Sequence, residues 1–261
     1  MTKHDSRLDI APVQASVSDA EWQARLDLAA AYRLCDGYGM SDMIYTHISA
    51  RVPDAPDTFL INPNGMLFGE ITASCLLKVT IEGEVLYKPD LPYGLHKAGF
   101  TIHSALYRAR PDTLAAMHTH TIAGMAVSAL KCGLLPITQT ATRFYGRTAY
   151  HDFRGPERDP SERDLLANSI GDKNYCILRN HGLLTLGESV AEAFIAMWGM
   201  ERACQAQLAA MACNTELDMP SPEVVAKSCA AYDLSNARRY GPLEWPGLLR
   251  KLDAVDDSWR R

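Results

Sequence analysis

The stretch Met117-His118-Thr119-His120 follows an apolar run and precedes a segment of small residues. In an extended strand, side chains two residues apart point to the same face. The stretch would therefore place two imidazoles side by side, where they can share one metal ion. Two histidines that meet by chance in the core or on the surface are the alternative, since His-x-His alone is a weak motif.

A third histidine, His181, lies in the turn of residues 178–184, between two more apolar runs. Three histidines that leave one coordination position open for water or substrate are typical of a catalytic metal site. We therefore predict that His118, His120 and His181 bind one divalent metal. Neutral imidazole suits Zn²⁺, Mn²⁺, Co²⁺ and Fe²⁺, so the residues themselves do not choose the metal.

The composition indicates a globular protein of one or two domains. Of the 261 residues, 47% are hydrophobic and 22% are charged, which is enough apolar material for a sizeable core. The formal net charge is −5 and no basic block occurs, so we expect no nucleic-acid partner.

The sequence also predicts a cytoplasmic location. No apolar run approaches the about 18 residues that a membrane-spanning helix needs, so we expect no membrane partner. Residues 1–18 are polar, unlike a signal peptide. The seven cysteines are scattered without a Cys-x-x-Cys pair, which favours reduced thiols over a disulfide framework.

The pattern predicts one α/β domain over residues 18–219, after a flexible lead-in at 1–17. A capping box at 18–21 begins a helix that should end near Asp36, because two glycines follow. Alternating runs predict antiparallel strands between 44 and 61 and a hairpin around 82–84. The further expectations are helices at 96–109, 121–130, 161–170 and 188–212, a strand at 114–117, a hairpin around His181 and a loop at 146–164.

Residues 220–261 are predicted to form a C-terminal helical arm. Exposing Trp245 and Trp259 in a loose tail would be unfavourable, so we expect the arm to dock on a surface. A neighbouring subunit is one candidate for that surface.

Several short stretches, in this order, resemble the class II aldolase/adducin family over residues 20–215. They are Thr-His-Ile-Ser-Ala-Arg at 46–51, Ile-Asn-Pro-Asn-Gly at 61–65, the run at 98–107, Arg-Pro-Asp at 110–112 before the histidine pair, and Asn-His-Gly at 180–182. The resemblance implies a single three-layer α/β/α domain around a mainly antiparallel sheet. It also implies a homotetramer with active sites between subunits, and a divalent metal, usually Zn²⁺, on the positions that match His118, His120 and His181.

The chain departs from the sugar-phosphate aldolases of that family. Their catalytic glutamate is matched by Gly99, and their phosphate-binding loops are matched by residues 63–65 and by Thr46-His47. Glycine cannot transfer a proton, and fewer hydroxyls and loop amides remain to bind a phosphate. In these features the chain resembles the adducin-like bacterial branch, so we expect a substrate without a phosphate.

These observations favour a metal-dependent carbon–carbon lyase. Its substrate would be a small non-phosphorylated hydroxy- or oxo-carboxylic acid, cleaved by decarboxylation or retro-aldol reaction through a metal-stabilised enolate. Retro-aldol cleavage needs a base for the hydroxyl proton, whereas decarboxylation begins with the loss of CO2. The alternatives are a non-catalytic adducin-like interaction module, a sugar-phosphate aldolase or epimerase, and an Fe²⁺-dependent oxygenase.

Three residues are candidates for catalysis beside the metal. His103 shares a helix face with Gly99 and His96, so it would face the metal if Gly99 does. His47 takes a former phosphate-loop position, where it could contact a substrate carboxylate. Tyr145 lies in the Gly-rich middle of the chain and could protonate a carbanion. A structural role in the core, or a place on the solvated surface, is the alternative for each.

Overall fold

The computed structural model describes residues 8, 10–155, 161–232 and 240–261. Three predictions fall partly outside them: the lead-in at 1–7 and 9, the loop at 156–160, and the arm at 233–239.

One sheet forms the centre of the described structure. Its eight strands are β1 His47–Val52, β2 Ala55–Ile61, β3 Leu77–Thr80, β4 Val85–Tyr87, β5 Ala115–Thr119, β6 Thr148–His151, β7 Tyr175–Leu178 and β8 Gly182–Gly187, in the order β4-β3-β2-β1-β5-β8-β7-β6. Only the β6–β7 pair is parallel among these strands. The predicted α/β class with a mainly antiparallel sheet is confirmed.

Helices cover both faces of the sheet. They are α1 Asp19–Gly37, α2 Lys97–Ala109, α3 Ile122–Ser128, α4 Gln139–Thr142, α5 Ser161–Ile170, α6 Val190–Ala212, α7 Pro222–Ala231 and α8 Glu244–Asp253. Helix α1 begins where the Ser18 side chain accepts a hydrogen bond from the Glu21 N–H, as the capping box predicts. It ends at Gly37, one residue beyond the predicted end.

The alternation of strand side chains divides the core into layers. In β1, Ile48 and Ala50 join the large apolar cluster formed with α1 and α6. Ala116 of β5 faces the opposite layer and packs with Ile102 and Leu106 of α2. Because neighbours on a strand alternate, His47, Ser49 and His118 share the α2 face of the sheet. The register places His47 directly opposite His118.

One local prediction needs correction. The segment 146–164 contains strand β6, which pairs with β7 and is hidden in the sequence by glycine and charged neighbours. Helix α8 begins at Glu244 although Pro246 follows. Proline fits there because the first helical turn has no backbone acceptor for its missing N–H.

Both chain ends pack on the domain where they are described. Trp245 and Trp259 are 8% and 1% exposed, and both belong to the main apolar cluster. The Trp245 indole N–H donates to Asp27 of α1 at 2.9 Å. Within the described residues, α8 and the segment that contains Trp259 therefore dock on α1 and α6 of their own chain, and α7 packs on α4. Val13, within the predicted flexible lead-in, is also buried, and its N–H donates to Ser74.

No helix within the described residues is long and apolar enough to cross a membrane. The seven cysteines, all in the described part of the chain, are free.

Candidate metal centre

The three predicted ligands meet at one end of β5. His118 is in the strand, and His181 is in the turn between β7 and β8. His120 lies one residue past the strand, because Thr121 already caps α3 by accepting from the Gly124 N–H. The Nε2 atom of His120 is 2.9 Å from Nε2 of both His118 and His181, and the three ligand atoms lie within 4.8 Å of one another.

The outer nitrogens of two rings are held by acceptors. Nδ1 of His118 is 2.9 Å from the carbonyl oxygen of Leu183, and Nδ1 of His120 is 3.1 Å from a carboxylate oxygen of Asp42. A neutral imidazole that donates from Nδ1 has its lone pair on Nε2. Two such lone pairs face each other across 2.9 Å and repel unless a cation lies between them. The donor set therefore fits a divalent metal, with Asp42 as the carboxylate that orients a metal-binding histidine.

Burial favours the metal-binding protonation state of His118 and His181. It lowers the pKa of His118 well below the ordinary value, and the neighbouring rings of His181 and His120 lower it further. The pKa of His181 falls to about 4, again first through burial and then through His120. Both rings are neutral at pH 7, as metal binding requires.

A second group of polar residues lies on the α2 face beside the metal centre. Nδ1 of His47 is 2.6 Å from Nε2 of His103, and Nδ1 of His103 contacts the Ser49 hydroxyl. The Ser49 hydroxyl is in turn 2.8 Å from that of Tyr107. The His47 ring centroid is 5.1 Å from that of His118, so this buried chain ends next to a metal ligand.

Position 99 has no room for a side chain. A Cβ built on Gly99 would lie 2.6 Å from Cδ2 and 3.1 Å from Nε2 of His47. The imidazole of His47 thus occupies the space into which any residue at 99 would extend. The close approach of the α2 backbone to β1 at this point requires glycine.

The metal centre and His47 open into one cleft of about 940 Å³. Besides the histidines, its walls include Asp42, Tyr45, Asn64, His96, Lys97 and Phe153. Among the described lining residues Asp42 is the only carboxylate, and it is already bound to His120. The cleft therefore offers several hydrogen-bond donors and a cation, which suits an anionic ligand.

The three catalytic candidates occupy different places. His47 lines the cleft, whereas His103 lies completely buried behind it. Tyr145 is about half exposed, and its carbonyl accepts from the Cys229 thiol near α7. It is not among the described residues of the cleft. Sequence reasoning missed Asp42 and Lys97, for which no spacing or periodicity indicates a site.

The fold, the three histidines and the cleft define a protein of the class II aldolase type. Residues 26–208 match the family model described as Class II Aldolase and Adducin N-terminal domain. The chain belongs to the class II aldolase and adducin family.

Two solved structures resemble the whole chain. An aldolase II superfamily protein from Pseudomonas syringae is 47% identical, with a TM-score of 0.90 over 95% of this chain and 99% of that one. An L-fuculose 1-phosphate aldolase from Glaciozyma antarctica PI12 is 28% identical, with a TM-score of 0.82 over 97% and 96% of the two chains.

The chain is also similar to alpha-adducin of Rattus norvegicus. The two are 47% identical over 189 residues, which is 72% of this chain but 26% of that protein. The similarity therefore concerns one part of alpha-adducin.

Proposed function

We propose that this chain is a metal-dependent carbon–carbon lyase that acts on a non-phosphorylated hydroxy- or oxo-carboxylic acid. The observation that carries the proposal is the convergence of three imidazole Nε2 atoms at the floor of an open cleft. Next to them, His47 fills the space of a side chain at Gly99, the position at which the resemblance would put the family's carboxylate base.

His118, His120 and His181 would hold the metal, for which we propose Zn²⁺, with Mn²⁺, Co²⁺ or Fe²⁺ fitting the same donors. When bound, such a cation acts as a Lewis acid that polarises a substrate carbonyl and stabilises the negative charge that develops on bond cleavage. Asp42 keeps His120 in the tautomer that presents Nε2 to the cation.

The remaining cleft residues select the substrate. Lys97 supplies a positive charge, and His47 and Asn64 supply polar groups, so a carboxylate is well recognised. In decarboxylation the bond between the carboxylate carbon and its neighbour breaks, CO2 leaves, and the electron pair stays on the neighbouring carbon. A proton from solvent in the open cleft then returns to that carbon.

The same geometry is less suited to retro-aldol cleavage. That reaction starts with removal of a hydroxyl proton by a base, and Gly99 carries no group to accept it. Asp42 cannot replace it without leaving His120. We therefore favour decarboxylation over retro-aldol reaction.

Metal analysis tests this proposal. Elemental analysis of the purified wild type should find about one divalent metal per chain, as one shared three-histidine site requires. His118→Ala, His120→Ala and His181→Ala should lose the metal but keep the wild-type circular dichroism spectrum. His96→Ala is the matched control, because it removes a cleft histidine outside the triad.

Activity is then assayed with hydroxylated and keto carboxylic acids, by release of CO2 or of an aldehyde. Turnover should follow the metal content of the variants. Full activity of metal-free His120→Ala would refute the lyase proposal.

A non-catalytic interaction module is the second candidate, and the similarity to alpha-adducin favours it. A wild-type protein that binds no metal, even after Zn²⁺ or Mn²⁺ is added back, would support this candidate. The next experiment would then be a pull-down of protein partners.

A sugar-phosphate aldolase or epimerase is the further alternative, in line with the structural similarity to the L-fuculose 1-phosphate aldolase. Gly99→Glu should not create efficient turnover of a sugar phosphate, because His47 already fills the space of that side chain. Robust turnover by this variant would overturn that part of the proposal.

We also propose that the chain forms a homo-oligomer, with a tetramer as the first expectation. Phe153 lines the cleft and is 57% exposed in the single chain. Met43 and Ile122, which follow the cleft residues Asp42 and His120 by one and two positions, are 64% and 83% exposed. Covering them with another subunit would be favourable. Tyr145 is half exposed and is not among the described residues of its own cleft, so we propose that its catalytic role, if it has one, is in a neighbour's cleft. Sedimentation of the wild type and of Ile122→Glu tests the assembly.

A further inference from the structure

Four buried side chains connect the interior of the α2 layer to the floor of the cleft. In order they are Tyr107, Ser49, His103 and His47, and the last is the one that lines the cleft. Each is at most 3% exposed. Water cannot easily satisfy their polar atoms, so the protons of Tyr107, Ser49 and His103 must each be matched to an acceptor within the chain.

The protons can be assigned from the buried end. Burial raises the pKa of Tyr107, so the phenol keeps its proton. Among the described residues, two groups bond to that phenol: the Ser49 hydroxyl and the backbone N–H of Ala116, which can only donate. If the chain ran in the opposite direction, the Tyr107 proton would be buried without an acceptor, which costs free energy. Tyr107 therefore donates to Ser49. The buried Ser49 proton needs an acceptor as well, and Nδ1 of His103 is the remaining partner of that hydroxyl among the described residues, so Ser49 donates to Nδ1 of His103.

The same reasoning then assigns the ring protons of His103 and His47. His103 is neutral at pH 7, because burial lowers its pKa to about 3. With Nδ1 as an acceptor, its proton is on Nε2, and it donates to Nδ1 of His47 across 2.6 Å. A neutral His47 that accepts at Nδ1 must in turn carry its own proton on Nε2.

We propose that this chain holds His47 as the Nε2–H tautomer, so that it donates a hydrogen bond to the carboxylate of the substrate. Tyr107, Ser49 and His103 are the positioning residues, since none of them lines the cleft. The carboxylate assignment rests on the function proposed above, whereas the tautomer follows from the buried chain alone.

The hydrogen-bonding role of the group that fills the space at position 99 is therefore the opposite of a glutamate's. A glutamate there would be an acceptor and a base, but the imidazole in its space presents a donor. The lone pair of His47 is on Nδ1 and is already used by His103, so His47 cannot remove a substrate proton while the chain is intact. A donor beside a cation recognises an anionic oxygen.

Nitrogen spectroscopy tests the tautomer directly. Solid-state spectra of metal-free protein labelled with ¹⁵N-histidine distinguish a protonated ring nitrogen from a bare one, and His47→Gln identifies the signals of His47. The expected result is a protonated Nε2 and a bare Nδ1. A protonated Nδ1 would overturn the proposal.

Variants of the positioning residues show whether the chain sets this tautomer. Ser49→Ala and Tyr107→Phe should give a mixture of the two His47 tautomers. Ser104→Ala is the matched control, since Ser104 is an equally buried hydroxyl of α2 that bonds to Thr101 instead. An unchanged His47 spectrum in both Ser49→Ala and Tyr107→Phe would show that the chain does not set the tautomer.

Ligand binding tests the carboxylate assignment. The probes are glycolate and its neutral analogue glycolamide, titrated calorimetrically into Zn²⁺-loaded protein. His47→Leu should weaken glycolate binding about 10- to 100-fold, the usual loss for one hydrogen bond to a charged group. Glycolamide binding should change much less, and His47→Gln, which keeps an N–H donor, should retain most of the glycolate affinity.

The spectroscopic test of the tautomer and the calorimetric test of carboxylate binding can fail independently of each other. Equal glycolate affinity in the wild type and His47→Leu would overturn the assignment of the carboxylate to His47. A wild type that binds neither Zn²⁺ nor glycolate would refute the proposed function, while the spectra of the metal-free protein would still decide the tautomer.

Discussion

Replacing Gly99 with alanine should push the His47 imidazole out of its position. The added Cβ would lie 2.6 Å from Cδ2 and 2.9 Å from Cγ of His47, whereas ordinary contacts begin at 3.4 Å. The ring has little freedom to retreat, because it is buried and its Nδ1 lies 2.6 Å from Nε2 of His103. Either α2 must move away from β1, or the bond between the two histidines must break.

The size of the effect follows from two opposing contributions. Overpacking of a closely packed site costs about 1–3 kcal/mol, and alanine in a helix gains about 0.5–1 kcal/mol over glycine. Gly37→Ala is the matched control. Gly37 also belongs to a helix, α1, but a Cβ built on it would meet nothing within 4 Å. The free energy of unfolding of Gly99→Ala should therefore lie about 1–3 kcal/mol below that of Gly37→Ala.

Urea denaturation of both metal-free variants, followed by circular dichroism, measures this difference. The ¹⁵N signals of His47 provide a second readout, because displacement of the ring should disturb its hydrogen bond to His103. If Gly99→Ala were as stable as Gly37→Ala and the His47 signals were unchanged, His47 would not be packed on Gly99. The explanation for the glycine at this position would then be wrong.

Three further predictions concern the metal, pH and the arm. Asp42→Asn should weaken metal binding about 10- to 100-fold in chelator competition, whereas the adjacent Ser41→Ala should not; equal affinities would contradict the role of Asp42. Because His103 has a folded-state pKa of about 3, the unfolded chain takes up a proton below about pH 6.5 that the native state refuses. The free energy of unfolding of the metal-free protein, measured with urea, should therefore fall by about 2 kcal/mol through this group between pH 6.5 and 5. The fall should be smaller in His103→Gln. Identical pH profiles of the two proteins would argue against a neutral buried ring at His103. Trp259→Ala should lower the free energy of unfolding by about 3–5 kcal/mol, against little change for the partly exposed Trp198→Ala, and equal stabilities would show that the arm does not belong to the core.

Much of the fold could be predicted from local patterns. The capping box and glycines bound α1 to within a residue, and the hairpin around His181 is β7–β8. Strand β6 was missed, because a short strand next to glycines leaves weak periodicity. The bounds of α8 within the predicted helical arm were not predicted, because its early proline leaves weak periodicity. Pairing with β7 stabilises β6, and docking of Trp245 on α1 stabilises α8.

The candidate site, like the fold, was predicted from the sequence only in part. Residue type and spacing alone led to His118, His120 and His181, because metal binding limits the ligands to few residue types and β strands bring alternate side chains to one face. The resemblance to the family also led to the prediction that Gly99 takes the position of the family's glutamate.

Only the tertiary structure decided what surrounds these residues. The bond from Asp42 to His120 spans 78 positions and that from His47 to His103 spans 56, and no local periodicity connects residues so far apart. These pairs depend on how β1, β5 and α2 pack. The sequence by itself determined which groups can bind a metal, whereas the packing determined which nitrogen of each ring faces the cleft.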